Sequence, residues 1–169
     1  EKSLKSIKNN IIAIERLMGT FAMGSAYSSG IRVSVVGAPN VGKSTLTNRL
    51  LGSNRSIVDK KAGTTRDTIA TDVVIAGIPT TIVDTAGIRE TSDRVEAAGV
   101  DRAMSEVGRS ALVLNVFTSE TQTIDIVGDI EQICVYNKVD LQMYSGEDKN
   151  VISVSALKNI GIRKLLGAI

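Results

Sequence analysis

The stretch GAPNVGKST, residues 37–45, restricts the fold of this chain more than any other part of its sequence. It follows the β-branched run Ile31–Val36 and leads into a helical pattern over Ser44–Leu51, so it is predicted to join a strand to a helix. The glycines let consecutive backbone N–H groups point inward, and the N-terminus of the helix faces the same place. An ordinary glycine-rich turn is the alternative, but the strand before it and the helix after it favour a phosphate-binding loop.

The chemistry of a nucleotide phosphate accounts for most side chains of this loop. Lys43 would bring a positive charge to the β- and γ-phosphates, where it would also assist catalysis, and the hydroxyl of Ser44 would bind Mg²⁺. The nucleotide-binding residues predicted in this loop are Asn40, Val41, Gly42, Lys43, Ser44 and Thr45.

A second motif for the phosphate side is DTAG, which begins at Asp84, where the predicted strand TTIVD ends. A carboxylate at the C-terminal end of a strand beside a phosphate loop can hold Mg²⁺ through a water molecule. The N–H of Gly87 would be free to approach the γ-phosphate. Taken alone, DTAG is equally explained by a plain turn; beside a phosphate loop, the metal site is the stronger interpretation.

Two further motifs predict recognition of a guanine base. In NKVD, residues 137–140, the carboxylate of Asp140 can accept hydrogen bonds from the N1–H and N2–H₂ groups of guanine, a donor pair that adenine lacks. Asn137 can tie this loop to the phosphate loop, and the stem of Lys138 can lie along the base. In SAL, which comprises Ser155, Ala156 and Leu157, the N–H of Ala156 could donate to the guanine O6.

Strand and helix patterns alternate after residue 30, which predicts an α/β fold with a mostly parallel sheet and helices on both faces. A hairpin around GIP adds one antiparallel strand. The predicted strands are Ile31–Val36, Asp72–Ala76, Thr80–Val83, Ala111–Phe117, Ile133–Tyr136 and Val151–Val154, and the predicted helices are Ser44–Leu51, Val95–Val107 and Ile160–Ile169. The segments 118–132 and 141–150 are too short for a full helix with its loops.

The first residues have a different pattern. Apolar side chains recur at spacings of three and four, which predicts a helix with one narrow apolar stripe, followed by a linker in GSAYSSG, 24–30. The stripe either packs back on the domain or contacts a helical partner from outside this chain, and the second reading is favoured. Its members are Leu4, Ile7, Ile11, Ile14, Met18 and Phe21.

Composition narrows the class of protein. The chain has 169 residues, of which 43% are hydrophobic and 22% charged, so one globular domain is expected. A net charge of +2 does not by itself indicate nucleic acid, and a sequence without histidine is a poor candidate for zinc or Ser-His chemistry. Cys134 is expected to be a buried, unpaired thiol. No apolar run reaches membrane-spanning length, and a cytoplasmic location is expected.

The motifs GAPNVGKS, GTTRD, DTAG, NKVD and SAL follow one another between residues 37 and 157. This set resembles the Ras-like P-loop GTPases of the translation-factor class. The segments AGTTRDTI and DTAGIRETSDRVEAAGVDRA, with the Asn of GAPNVGKS, are similar to the G domain of the MnmE (TrmE) family of tRNA-modification GTPases. The resemblance implies a Ras-like P-loop fold, binding of GTP and GDP, Mg²⁺ and K⁺ as cofactors, and hydrolysis of GTP.

The same resemblance implies a larger architecture. Residues 1–29 would be a helix and linker of a helical domain, and residues 30–169 the G domain inserted into it. The family pairs two G domains through their switch regions, which implies a homodimer. An MnmG-like protein and tRNA would be engaged through other domains, and the GTP cycle would drive modification of the wobble uridine, U34.

The family also implies how hydrolysis proceeds where Ile88 stands in place of the Gln that Ras-like enzymes commonly carry. Asn40 matches an asparagine that ligates K⁺, Thr65 matches the switch threonine that ligates Mg²⁺, and Glu96 matches a glutamate that orients the attacking water. Further K⁺ ligands would be the backbone carbonyls of Asp59 and Lys61, together with Thr64.

The roles that the family implies for Asn40 and Glu96 each have a structural alternative. Asn40 could simply serve the turn, because Asn tolerates turn conformations. Glu96 lies three residues after Asp93, which is the spacing of a helix capping box. At the level of the whole protein, the alternative is a ribosome-assembly GTPase of the Era or EngA kind, in which GTP gates RNA binding. A domain that binds nucleotide without hydrolysing it is a third reading.

Overall fold

The computed structural model describes residues 2–53, 69–85, 105–148 and 150–169. In chain order its helices and strands are α1 (Lys2–Ser29), β1 (Ile31–Gly37), α2 (Lys43–Ser53), β2 (Ile69–Ile75), β3 (Ile78–Asp84), β4 (Leu112–Phe117), β5 (Glu131–Tyr136), β6 (Ile152–Ser153) and α3 (Ile162–Leu166). Helices and strands alternate from α1 to β2, the next named elements are strands as far as β6, and a short helix follows them.

The strands form one six-stranded sheet in the order β2-β3-β1-β4-β5-β6. Only the β2–β3 pair is antiparallel, and the other four pairs are parallel. The predicted α/β class, with a mostly parallel sheet and one antiparallel strand, is confirmed. Parallel strands bring their carboxyl ends to one edge of the sheet, which places the loops after β1, β3, β5 and β6 side by side.

One face of the sheet carries the main hydrophobic core. Successive side chains of a strand point to opposite faces, and on this face the strands present a continuous apolar surface to α2 and α3. The fully buried members include Val33 and Val35 of β1, Leu114 of β4, Leu46 of α2 and Leu165 of α3. Because α2 packs against this surface, the loop that precedes α2 is held at the sheet edge.

The opposite face is smaller and more polar. Its apolar cluster comprises Val36, Val113 and Val107, the last from the helical residues 105–107. Beside it, the buried amide of Asn115 on β4 bonds both backbone groups of Ile124: Nδ2 donates to the carbonyl at 2.7 Å, and Oδ1 accepts from the N–H at 3.0 Å. The connection 118–130 contains turns, bends and irregular chain but no helix, and Asn115 fastens it to the sheet.

The prediction of a linker over residues 24–30 is wrong, because α1 continues to Ser29. The helix ends where Gly30 adopts a φ of 74° and its N–H donates to the carbonyl of Ala26 at 3.0 Å. A left-handed glycine with this bond is a common helix C-terminus, so α1 passes into β1 without a flexible segment.

The apolar stripe of α1 is exposed where the structure describes its side chains. Ile7, Ile11 and Ile14 are 52%, 49% and 56% exposed, respectively. This contradicts packing of that part of the stripe on the domain. A helical partner from outside the chain stays a prediction. Among the described residues, no helix combines the length and the apolar character needed to cross a membrane.

Most element boundaries agree with the sequence prediction to within a few residues, and the predicted helix Val95–Val107 lies mainly outside the described residues. Cys134 on β5 is only partly buried, in contrast to the expected buried thiol. Burial, followed by the nearby carboxylate of Asp148, raises the pKa of this thiol above its usual value.

Replacement of Asn115 tests how the short connection is held. Asn115→Ala should lower the free energy of unfolding by about 2–3 kcal/mol, because it removes the partners of a backbone N–H and a backbone carbonyl. Urea unfolding at equilibrium measures the change. Gln132→Ala is the control, because that exposed side chain contacts Asn115 only at 3.4 Å and should cost about 0.5 kcal/mol or less. Equal losses in the two variants would contradict the anchoring role.

Candidate nucleotide-binding site

The phosphate loop runs from the end of β1 to the start of α2 and is closed by its own lysine. The Nζ of Lys43 donates to the carbonyl of Gly37 at 2.9 Å and to that of Ala38 at 2.8 Å. The residue is only 7% exposed. These contacts hold the ammonium group against the loop, where a phosphate seated on the loop's N–H groups would meet its charge.

The residues between the two glycines divide into an anchor and an exposed tip. Val41 is 1% exposed and belongs to the main core, which ties the loop to the domain. Asn40 has a φ of 63° and is exposed. Asn is among the residues that accept the left-handed conformation most readily, so the backbone alone gives a reason for Asn at this position. Ser44 and Thr45 follow, both exposed, in the first turn of α2.

The aspartate of DTAG lies next to this loop. Asp84 ends β3, is 4% exposed, and is in register with Val35 of β1, two residues before the loop begins. The hydroxyl of Thr85 donates to the carbonyl of Val35 at 2.7 Å and fixes the exit from β3. A buried carboxylate and the exposed hydroxyl of Ser44 on neighbouring elements are hard oxygen donors of the kind Mg²⁺ prefers, so the residues present fit that ion.

Asn137 joins three loops through one side chain. Its Nδ2 donates to the carbonyl of Val41 in the phosphate loop at 2.8 Å, and its Oδ1 accepts from the N–H of Ala156 in SAL at 3.1 Å. The residue is 3% exposed. Gly42 permits this approach, because a Cβ there would lie 2.5 Å from Nδ2 of Asn137. The link predicted between NKVD and the phosphate loop is therefore present, and it extends to SAL.

The rest of NKVD forms a tight turn at the sheet edge. Lys138 has a φ of 67°, and its carbonyl accepts from the N–H groups of Leu141 and Gln142 at 2.9 and 3.2 Å. The N–H of Val139 donates to the carbonyl of Val154 at 3.1 Å, which pins the turn to the chain after β6. Asp140 is exposed at the surface of this turn, where its carboxylate is accessible to a ligand.

The SAL loop is held from inside. Ser155 is fully buried, pairs with Ile160 through backbone bonds in both directions, and accepts from the N–H of Lys158 at 3.1 Å. Leu157 is 67% exposed. The N–H of Ala156 already donates to Asn137, so the predicted bond to guanine O6 would have to be shared with that amide or replace it.

Six predicted site residues fall outside the described part of the chain, so their placement stays a prediction. They are Asp59, Lys61, Thr64, Thr65, Gly87 and Glu96.

Sequence reasoning missed one residue that contacts the site. Arg49 of α2 donates from Nε to the carbonyl of Ala156 at 2.9 Å and from Nη2 to that of Leu157 at 3.1 Å. No motif contains this arginine, and its acceptors are backbone carbonyls at a sequence separation of 107 and 108 residues. Nothing in a single sequence displays such a pair.

Together, the fold and the loops at its carboxyl edge define a Ras-like P-loop nucleotide-binding domain. Residues 32–152 match the family model described as "50S ribosome-binding GTPase". The chain belongs to this family and is a GTPase. The family implies a Mg²⁺-dependent nucleotide site, in agreement with the placement of Ser44 and Asp84.

Similarity to individual curated proteins is more specific than the match to the family model. The chain is 38% identical, over 98% of its length, to the tRNA modification GTPase MnmE of Aquifex aeolicus, and 39% identical, over 90%, to that of Flavobacterium johnsoniae. It spans 39% and 35% of those two proteins. The resemblance to the MnmE G domain seen in the motifs is confirmed.

Solved structures support the fold. The chain matches a variant of Aquifex aeolicus Era bound to GDP and AlF₄⁻ with a TM-score of 0.60 and 27% identity, over 82% of this chain and 55% of that one. The FeoB G-domain of Methanococcus jannaschii matches with a TM-score of 0.57 and 24% identity, over 82% of this chain and 94% of that one, which shows the fold alone.

Changes at Asn137 test whether its two bonds assemble the site. Asn137→Ala loses both, and we expect GDP to bind about tenfold or more weakly, because three loops are no longer held together. Asn137→Asp keeps the acceptor for Ala156 but sets a carboxylate against the carbonyl of Val41, so it should be at least as weak. Isothermal titration with GDP measures both. Asn150→Ala, an exposed replacement, is the control, and unchanged affinity in the two Asn137 variants would contradict the bridge.

Proposed function

We propose that this chain is the GTP-hydrolysing domain of a tRNA-modification protein of the MnmE kind, and that its cycle drives modification of the wobble uridine U34. The observation that carries the proposal is the likeness to MnmE over almost the whole chain. The motifs that distinguish this kind of GTPase, among them DTAGIRETSDRVEAAG, lie within the matched region. Because the chain spans less than half of those relatives, tRNA and an MnmG-like partner would be engaged through other parts of the protein.

The residues of the described site have defined roles in this proposal. Lys43 neutralises charge that develops on the β- and γ-phosphates, and the N–H groups of the loop hold the phosphates in place. Asp140 and SAL select guanine, with Lys138 along the base. Mg²⁺, when bound through Ser44, Thr65 and Asp84, would supply further neutralisation of phosphate charge.

Potassium is proposed as the second cation. Ile88 has no polar group to orient water, and an arginine that could reach the phosphates is not evident in the sequence, so another positive charge is needed. Asn40 supports the proposal because its exposed carboxamide lies in the phosphate loop. Glycine would satisfy a φ of 63° at least as well, so the conformation does not by itself require an amide oxygen. Asp59, Lys61 and Thr64 are the proposed remaining ligands.

Pairing of two G domains through their switch regions is proposed to complete this cation site, and Glu96 is proposed to orient the attacking water. A cytoplasmic location follows from the proposed tRNA substrate.

The rival function, an RNA-binding switch in ribosome assembly, is favoured by the family's description and by the likeness to Era. An assay that loads the chain with GTP and measures binding to ribosomal RNA separates the two: nucleotide-dependent binding would favour the rival.

The potassium proposal is tested by GTP turnover in KCl and in NaCl at equal ionic strength. We expect the purified chain to hydrolyse GTP about tenfold or more faster in KCl, because a partly dehydrated cation would stabilise the transition state beside the phosphates. Asn40→Gly keeps the left-handed turn and removes only the carboxamide, so it should lose the stimulation while binding GDP as before. Equal rates in both salts would exclude potassium, and full stimulation in Asn40→Gly would leave Asn40 as a turn residue.

The role of Glu96 is tested against its capping alternative with a matched pair of variants. Glu96→Ala should lower GTP turnover by about 10²-fold while GDP affinity and melting temperature stay unchanged, because only the positioning of water is lost. Asp93→Ala removes the other member of the capping box and should leave turnover intact. If the melting temperature falls in both variants and turnover falls by the same factor in both, the capping box explains both residues.

A further inference from the structure

Arg49 lies on the second turn of α2, the helix that begins at the phosphate loop. Its guanidinium group donates two hydrogen bonds, from Nε to the carbonyl of Ala156 at 2.9 Å and from Nη2 to the carbonyl of Leu157 at 3.1 Å. Both acceptors belong to SAL, so the fork of one side chain holds two successive peptide groups of that loop. A lysine could not reproduce this grip, because its ammonium group lacks the planar arrangement of donors.

The helix directs this side chain toward the loop. Long side chains of an α-helix lean toward its N-terminus, and the N-terminus of α2 lies at the carboxyl edge of the sheet, where the chain after β6 emerges. Arg49 is partly buried, with its neighbours Leu46 and Leu50 fully buried in the core. Its backbone is therefore fixed, and the position of the guanidinium group follows from the packing of α2.

The two bonds orient the amide groups of the loop. In a trans peptide the C=O and the following N–H point in opposite directions. Holding the carbonyl of Ala156 toward α2 therefore turns the N–H of Leu157 away from α2. The opposite end of the loop is held by Asn137, which accepts from the N–H of Ala156 at 3.1 Å. Asn137 thus holds the peptide group between Ser155 and Ala156, and Arg49 holds the next two peptide groups of the loop.

We propose that Arg49 is a positioning residue for base recognition: it holds SAL so that the loop's amide edge faces the 6-position of the purine. This rests on the proposed assignment of SAL to guanine O6. In this role Arg49 acts through SAL, whose carbonyls it bonds, and not through direct contact with the nucleotide. Because α2 also begins with the phosphate-binding residues, Arg49 fixes the distance between the loop for the phosphates and the loop for the base.

A nucleotide altered only at the 6-position isolates this role. 6-Thio-GDP keeps the N1–H and N2–H₂ donors that Asp140 would bind and replaces O6 by sulfur, which is a weak hydrogen-bond acceptor. The ratio of the dissociation constants for 6-thio-GDP and GDP therefore reports on the amide edge of SAL. General loosening of the domain weakens both nucleotides alike and leaves the ratio unchanged.

The experiment measures this ratio at pH 7 in wild type, Arg49→Ala, Arg49→Lys and Arg163→Ala. We expect wild type to prefer GDP by about tenfold, the effect of one good hydrogen bond, and Arg49→Ala to reduce that preference to about threefold or less. Arg49→Lys should fall between the two, because one ammonium donor can still reach one carbonyl. Arg163→Ala removes the same charge from an exposed site on the neighbouring α3 and should keep the wild-type ratio.

The outcomes separate the proposed role of Arg49 from the proposed assignment of SAL to guanine O6. If wild type itself does not prefer GDP, the assignment of SAL to O6 fails, and the role of Arg49 fails with it. If wild type prefers GDP and Arg49→Ala keeps the full preference, only the role of Arg49 is overturned. A change of equal size in Arg163→Ala would also overturn it, because charge and not the grip on SAL would then be responsible.

Discussion

The buried amide of Asn137 is the interaction on which the candidate site depends. The phosphate loop, NKVD and SAL each follow a different strand, and neighbouring strands alone do not set the position of the loops beyond them. One amide bonds two of these loops and belongs to the third. Because its donor end meets a carbonyl and its acceptor end meets an N–H, rotation of the amide by half a turn would break both bonds. The three loops are therefore held in one mutual arrangement.

The two faces of the sheet show how the fold adapts to short connections. The face under α2 and α3 is closed by a continuous apolar core. The other face, on β1, β4 and β5, presents Ser34, Asn115 and Cys134 among its apolar residues. A loop of turns buries less apolar surface than a helix does, and its backbone groups need partners. Asn115 supplies such partners to the segment 118–130. The polar side chain on β4 therefore suits a short connection that has no helix of its own.

Hydrophobic periodicity was sufficient to predict each strand in the described part of the chain, and the motifs were sufficient to predict that NKVD contacts the phosphate loop. Two features escaped prediction for physical reasons. The polar, glycine-containing run GSAYSSG suggested a linker, yet small residues are tolerated in a helix, and α1 continues until Gly30 can adopt the left-handed conformation. Arg49 escaped because an arginine on a helix is ordinary, and its function depends on carbonyls that become neighbours only in the folded chain.

Asn40 shows how conformation and chemistry can be separated at one position. Its left-handed backbone explains why a β-branched or bulky residue is disfavoured there, but that explanation does not distinguish Asn from Gly. Glycine has the lower conformational strain, so the conformation alone does not explain the carboxamide. In the described structure Asn40 is exposed within the predicted phosphate loop, where an amide oxygen could bind a cation and an apolar side chain could not. The proposed K⁺ site would supply a chemical reason for asparagine, where the conformation supplies none that glycine lacks.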